Sequence, residues 1–265
     1  RNPNFRDKRY DEHPPEGNAR LQAIAKAFNG RRLPLLDEVH IAIIEEAQPR
    51  WLSFLNEEHD LADIVPEEFV SVAAPNDQLA PNLARRGIHM ERYPRADVAV
   101  SYFAMEDPVV GGYEPHKVAL RRAMALGVDV DREIRLVRRG QAIAAQGPLA
   151  PQAWGYDPDF RSTMGEFDVA RAKALLDLHG YVDRDGDGWR EQPDGQPLVI
   201  TYHTQAEQQF RQLAELWQKN MADIGIRMAF KTAKWPENLK ASRAGKLQMW
   251  GVGWVAGAPD ADTFL

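Results

Sequence analysis

The sequence contains no cysteine, which excludes disulfide frameworks and thiolate metal sites. Lack of cysteine also fits an oxidising compartment. No stretch approaches the ~20 consecutive apolar residues that a membrane-spanning helix needs. The 33 basic residues form no long run, and 39 acidic residues outweigh them to give a net charge of −6. The basic stripe with which a non-specific nucleic-acid binder neutralises phosphates is therefore missing, and no nucleic-acid partner is expected. The opening residues lack the basic-plus-apolar pattern of a secretory leader. Both ends read as mid-domain sequence. The expectation is a fragment truncated at both ends, with any signal peptide in the parent protein.

Catalytic signatures are missing as well. There is no G-x-S-x-G elbow, no H-E-x-x-H and no G-x-x-x-x-G-K-S/T. The seven histidines are scattered, and none pairs with another at the i+3 or i+4 spacing of an on-helix metal site. His40, alone on one side of an alternating segment, reads as a solvated strand residue. Glu45-Glu46, Glu57-Glu58 and Glu67-Glu68 are adjacent pairs. Neighbouring side chains diverge on a helix or strand, so these read as solvated faces and not as acid/base pairs. The chain is expected not to be an enzyme.

What is present is a 265-residue chain with 44% hydrophobic and 27% charged residues, the balance of a folded domain with a sizeable core. Its most informative stretch is residues 167–204. Asp168 suits a helix N-cap, and Val169, Ala172, Leu175 and Leu176 recur on one helical face. Gly180 stands where a left-handed C-cap belongs. Asp183, Asp185 and Asp187 then alternate with Gly186 and Gly188 in a turn, and residues 198–202 read as a strand. Further on, Phe210, Leu213, Ala214, Trp217, Met221 and Ile224 follow the i, i+3, i+4, i+7 pattern of an amphipathic helix. Gly225 ends that helix and Ile226, Met228 and Phe230 alternate as a strand. Strand, helix and strand in this order imply a parallel pair with a right-handed crossover. Period-two alternation predicts another strand over 37–43, with Val39, Ile41 and Ile43 on one face. Shorter strands are expected at 60–64, 87–93, 96–103 and 247–253, and helices at 21–28, from Pro49, from Pro66, at 118–128 and near 236–244.

Two segments could carry chemistry. Asp183, Asp185, Asp187 and Gly188 occupy positions 1, 3, 5 and 6 of a calcium-loop pattern, with Asp194 at position 12. A strand follows where an EF-hand has its second helix, and the competing reading is a polar turn whose carboxylates bond local backbone N–H groups. The second segment is residues 250–265. Trp250 and Trp254 stand at i and i+4 among glycines, which suits an apolar platform with an N–H donor beside closely approaching backbone. The competing reading places these tryptophans in the core, above all Trp250.

In order and spacing, this chain resembles the large solute-binding proteins of bacterial ABC importers, the peptide/nickel-binding family 5. The family's helix "A-x-x-LL-x-x-x-GY", its "D-x-DGDG" loop and its "dG-x-pL" turn correspond to Ala172, Leu175-Leu176, Gly180-Tyr181, residues 183–188 and residues 194–198. Asn2-Pro3-Asn4-Phe5 resembles its "NP-x-Y/F", and residues 118–134 resemble its "VR-x-Al-x-x-aiDR-x-x-i". The resemblance implies an α/β, two-lobed fold of the periplasmic-binding-protein type II-like class, with mixed sheets flanked by helices. Residues 1–100 would supply part of the first lobe and 101–265 most of the second. Were that assignment wrong, the strands near 98–104 and 198–203 would share one sheet.

Functionally, the resemblance implies a non-catalytic, monomeric, periplasmic or extracellular component that captures a peptide-like or other small solute and delivers it to ABC transporter permease subunits. It implies ligand-binding positions Tyr102, Phe103, Met105, Trp250, Trp254, Gly257, Ala258 and Pro259. Two departures stand out. Ala104 occupies a place where the family has Asn, and Gly257 one where peptide-binding relatives carry the Asp that pairs with the peptide's α-amino group. A buried ammonium without a partner costs several kcal/mol, so free peptide N-termini lose their usual anchor. The alternative reading is a calcium-stabilised interaction module centred on residues 183–194. No cofactor is expected apart from possible calcium held by Asp183, Asp185, Asp187 and Asp194.

Overall fold

The computed structural model describes residues 7–163, 165–258 and 260–264. The Asn2-Pro3-Asn4-Phe5 motif, Pro259 and Leu265 lie outside the described residues. The chain divides into two compact units, Arg1–Leu52 and Ser53–Leu265.

The smaller unit is built on helix α1 (Ala19–Phe28). Asn18 caps it by accepting the Leu21 N–H at 3.0 Å, one of the donors a helix start leaves without an intrahelical partner. A single bridge joins Arg9 to Arg32, and the Tyr10 ring meets Phe28 edge-on with centroids 6.1 Å apart. Helix α2 (Ala47–Leu55) follows. The alternating segment 37–43 is not a strand, and its apolar side remains in solvent, with Ile41 84% and Ile43 88% exposed. Segments 60–64 and 87–93 also lack strand pairing. The reason is common to all three. Alternation fixes which face a strand would bury, but only a hydrogen-bonded neighbour makes it a strand.

In the larger unit, α3 (Glu67–Ala73) and α4 (Pro81–Ala84) lead into β1 (Asp97–Phe103). Then come α5 (Pro115–Leu126), α6 (Val130–Leu136), α7 (Val169–Leu178), β2 (Val199–Thr204), α8 (Gln208–Asp223), β3 (Arg227–Thr232), α9 (Trp235–Arg243) and β4 (Met249–Val255). The four strands form one sheet in the order β1-β4-β2-β3. β1 runs antiparallel to β4, while β2 is parallel to β3 and to β4. The parallel β2–α8–β3 unit is as the hydrophobic periodicity implies. Residue 100 lies inside β1, which shares its sheet with β2.

Local chemistry explains the element ends. Asp168 caps α7 by accepting the Arg171 N–H at 2.8 Å. Gly225 closes α8 with φ +78°, a left-handed conformation that costs glycine no Cβ clash. Cross-strand partners share a face and alternate residues change face. Ile200, Tyr202, Met228 and Met249 thus line the side of the sheet that packs against α5, α7 and α8. Leu120, Met124, Leu176, Met221 and Ile224 join them in one core. Several of these are completely buried, each stabilising the fold by roughly 1.5–3 kcal/mol. The Tyr202 ring stacks on Trp217 at 5.5 Å. Its hydroxyl, held above its ordinary pKa by burial, lies 3.3 Å from Ser101 Oγ. A Cβ at position 251 would stand 2.3 Å from that hydroxyl, so Gly251 is the residue that lets it fit.

Candidate functional site

The register sorts the expected ligand-binding residues onto two faces. Tyr102 pairs with Trp250, and Trp250 with His203, so these three share the face away from the α5–α7–α8 core. Trp254, four residues along β4, points the same way. Phe103 pairs with Met249 and packs on the opposite face, against the core. The structure therefore separates Phe103 from the tryptophans.

The two tryptophans also differ in setting. Trp250 is 2% exposed, with the Tyr102 ring edge-on to it at 6.2 Å and 73°, while the Tyr102 hydroxyl bonds Ser242 Oγ of α9 at 2.5 Å. Trp250 is a core residue. Trp254 is 52% exposed, because β4 runs on beyond its pairing with β2, which reaches only Met249 and Trp250. Gly257 and Ala258 are exposed in the bend after β4. Nothing lies within 4 Å of where a Gly257 Cβ would be, so a side chain fits there.

Met105 is 39% exposed in the turn after β1, and its carbonyl accepts the Gly112 N–H at 2.8 Å. That turn is organised by Asp107, whose Oδ1 accepts the Val109 and Val110 N–H groups at 2.8 and 3.0 Å. Ala104 makes its contact through the backbone, its N–H donating to the Gln248 carbonyl at 2.9 Å.

The acidic loop gathers carboxylates, though not the expected four. Ligand oxygens of Asp183, Asp185, Asp187 and Glu191 lie within 4.8 Å of one another. Asp194 stands apart in the next turn, accepting the Gln196 N–H at 3.0 Å. The chain doubles back at Gly188 (φ +91°) and brings Glu191 round, which residue counting along the loop does not capture. These carboxylates already hold backbone donors. Asp183 accepts from Gly186 N and Gly188 N at 2.7 and 2.9 Å, Asp185 from Asp187 N at 3.1 Å, and Asp187 from Trp189 N at 2.8 Å. Glu191 accepts the Arg184 N–H at 2.7 Å. Arg227 adds a 3.0 Å contact to Asp187 and lies over the Trp189 ring. The loop's carboxylates thus bond its own backbone, and Arg227 ties it to the start of β3.

The family model for bacterial extracellular solute-binding proteins, family 5 Middle, matches residues 1–265. The chain belongs to that family. This family-5 chain is 26% identical over 244 residues to the dipeptide-binding protein of Escherichia coli, covering 91% of the chain and 41% of that protein. It is 32% identical over 155 residues to di/tripeptide-binding protein 2 of Pseudomonas aeruginosa, covering 55% of the chain and 25% of that protein. Its fold is similar to that of the oligopeptide-binding protein AppA from Bacillus subtilis, solved with a nonapeptide. The TM-score is 0.67 at 16% identity, over 84% of this chain and 44% of that one. The family-5 chain thus spans less than half the length of these relatives. The family consists of non-catalytic solute-binding proteins.

Two residues of this family-5 chain that carry no sequence signal stand beside the region. Gln248 donates from Nε2 to both Asp107 oxygens at 3.1 and 3.2 Å, and its Oε1 accepts the Thr201 N–H at 2.5 Å. It joins the turn after β1 to the sheet. His203, 6% exposed beside Trp250 on the neighbouring strand, has its pKa lowered by burial and then by Lys231. Neither residue belongs to a motif, so only the three-dimensional pairing reveals it.

Proposed function

We propose that the chain is part of the substrate-binding component of an ABC importer. It captures a peptide-like or other small solute between two lobes, in the periplasm or outside the cell, and delivers it to a membrane permease. The family match across all 265 residues carries this reading. The half-exposed Trp254, with Met105 and the Gly257–Ala258 bend nearby in sequence to the two sheet strands they extend, supplies apolar area and backbone groups for the solute. Closure of the lobes follows from differential affinity, since a solute that contacts both stabilises only the shut state.

Gly257 shapes the solute. By resemblance to peptide-binding relatives, its position is where a carboxylate would meet the peptide's α-amino group, and here no side chain can do so. The preferred solute therefore lacks a free N-terminal ammonium. The test is a thermal-shift screen of the full-length protein, stripped of solute by unfolding and refolding, against free-amine peptides, N-acetylated peptides and chelated nickel. Stabilisation by blocked or non-peptide solutes, with free-amine binding gained in Gly257→Asp, is expected. Strong stabilisation of the unaltered protein by free-amine peptides would refute the Gly257 reading. Stabilisation by no solute in the screen would count against the binding role itself.

A further inference from the structure

The turn that ends α2 gathers three polar side chains. Ser53, 8% exposed, donates its hydroxyl hydrogen to Glu58 Oε2 at 2.5 Å, and its Oγ also lies 2.9 Å from His59 Nε2. A hydroxyl has one hydrogen, so with that hydrogen on Glu58 the contact to His59 is filled by the ring's own N–H. A carboxylate oxygen and an imidazole nitrogen thus meet at one oxygen atom, the carboxylate exposed and the ring half-buried.

The backbone is bent to bring them there. Glu57 takes φ +64°, a left-handed conformation that is unfavourable for a residue with a Cβ and persists where its surroundings over-determine it. The Glu58 N–H then closes the turn onto the Ser53 carbonyl at 3.1 Å. Arg86, just beyond α4, braces the turn by bonding the Leu55 carbonyl and by pairing with Glu57 at 3.0 Å. Glu57 is therefore spent on Arg86, and Glu58 and His59 are the side chains that converge.

Chemistry selects the ligand. An imidazole nitrogen with a carboxylate oxygen and no thiolate suits a divalent transition ion of the zinc kind, whereas magnesium and calcium take all-oxygen sets. The negative end of the α2 dipole lies at this turn and favours a cation. Ser53 orients the carboxylate as the outer partner of a metal ligand does. Structural zinc is held by four protein ligands; with fewer, water fills the remaining positions, the fold stands without the ion and binding is reversible.

We propose that Glu58 and His59 bind a divalent transition ion of the zinc class at the end of α2, with Ser53 orienting Glu58. On binding, His59 Nε2 exchanges its contact with Ser53 for the ion, and the ring hydrogen is carried on Nδ1. Residues 53–59 include none of the solute positions proposed above, so the two readings stand or fall separately.

The experiment is a titration of the chelator-treated chain with zinc chloride, followed by calorimetry and two-dimensional NMR. Saturable shifts at residues 53–60 and 86 are expected, and none there with magnesium chloride at the same concentration. His59→Gln and Glu58→Gln should each weaken zinc binding at this site by about tenfold or more. Glu57→Gly relieves the left-handed backbone and keeps both ligands, so it should bind zinc as the parent does. Where the shifts fall in the parent chain decides the matter even if a variant fails to fold. Zinc shifts confined to residues 183–191, or to the exposed pair Glu38 and His40 at 3.1 Å, would overturn the proposal. So would equal shifts with magnesium, zinc binding at residues 53–60 that survives His59→Gln, or no zinc binding at all.

Discussion

Replacing Gln248 with Met keeps the length of the side chain and removes both of its polar ends. Two consequences follow from the geometry. The Thr201 N–H loses its acceptor at a point where β2 has not yet begun to pair with β4, whose register with it starts at Tyr202. An unsatisfied buried amide costs about 1–3 kcal/mol. The Asp107 carboxylate loses its side-chain donor at 3.1 and 3.2 Å, a charge-assisted bond worth about 1.5–3 kcal/mol. Asp107 keeps its two backbone donors and Gln248 is only partly buried, so the lower ends apply and the sum is ~2.5 kcal/mol. For a unit of this size that corresponds to a fall in Tm of roughly 5–10 °C. Thermal and urea unfolding followed by circular dichroism would measure it. Gln248→Glu is the informative companion. It keeps an acceptor for Thr201 but sets a second carboxylate against Asp107 in place of a donor, so it should be destabilised as well, which would assign the loss to the Asp107 side of the link. A Gln248→Met variant within about 0.5 kcal/mol of the parent, the range of an ordinary surface change, would refute the assignment of Gln248 as the link between this turn and the sheet.

Three further outcomes are expected. His203 has a folded-state pKa lowered from 6.5, by burial first and by Lys231 second. The folded state therefore holds the neutral ring, and its contribution is present above pH 6.5 and is lost as pH falls through the lowered value; unfolding measured from pH 7.5 to 5 should show a decline that His203→Gln flattens. Leu176→Ala, at a completely buried core position, should cost about 2–5 kcal/mol in denaturant unfolding, and a loss below 1 kcal/mol would mean that the core is not packed as described. Because backbone donors and Arg227 already occupy the acidic loop, calcium and EDTA should leave the Tm unchanged, with Asp183→Ala destabilising by about 1–2 kcal/mol through its two lost N–H bonds; a calcium-dependent rise abolished by Asp185→Ala would make the loop a cation site instead.

Much of the larger unit is legible in the residues. The apolar stripe of α8, the Asp168 cap, the Gly225 stop and the alternation after it reappear as a parallel β2–α8–β3 unit because each is a local signal with a local cause. Pairing is not local. Nothing in residues 97–103 says that their partner lies about 150 positions later in β4, and nothing in Val39, Ile41 and Ile43 says that no partner is present. The candidate site fared similarly. Trp250 and Trp254 stand out equally in the sequence, yet where β2 stops makes one core and leaves the other half exposed. Spacing alone favoured Asp194 over Glu191 in the acidic loop, because the path of a turn depends on its positive-φ glycines and not on residue count.

The uneven support of β4 has a mechanical consequence. At Met249 and Trp250 the strand pairs with β1 and with β2; from Gly251 to Val255 its strand pairing among the described residues is with β1. Two ladders must part for the root to open, and one toward the tip. Amide exchange should therefore quicken along β4 in graded steps and not as one block, slowest at the root and faster along the stretch that carries Trp254.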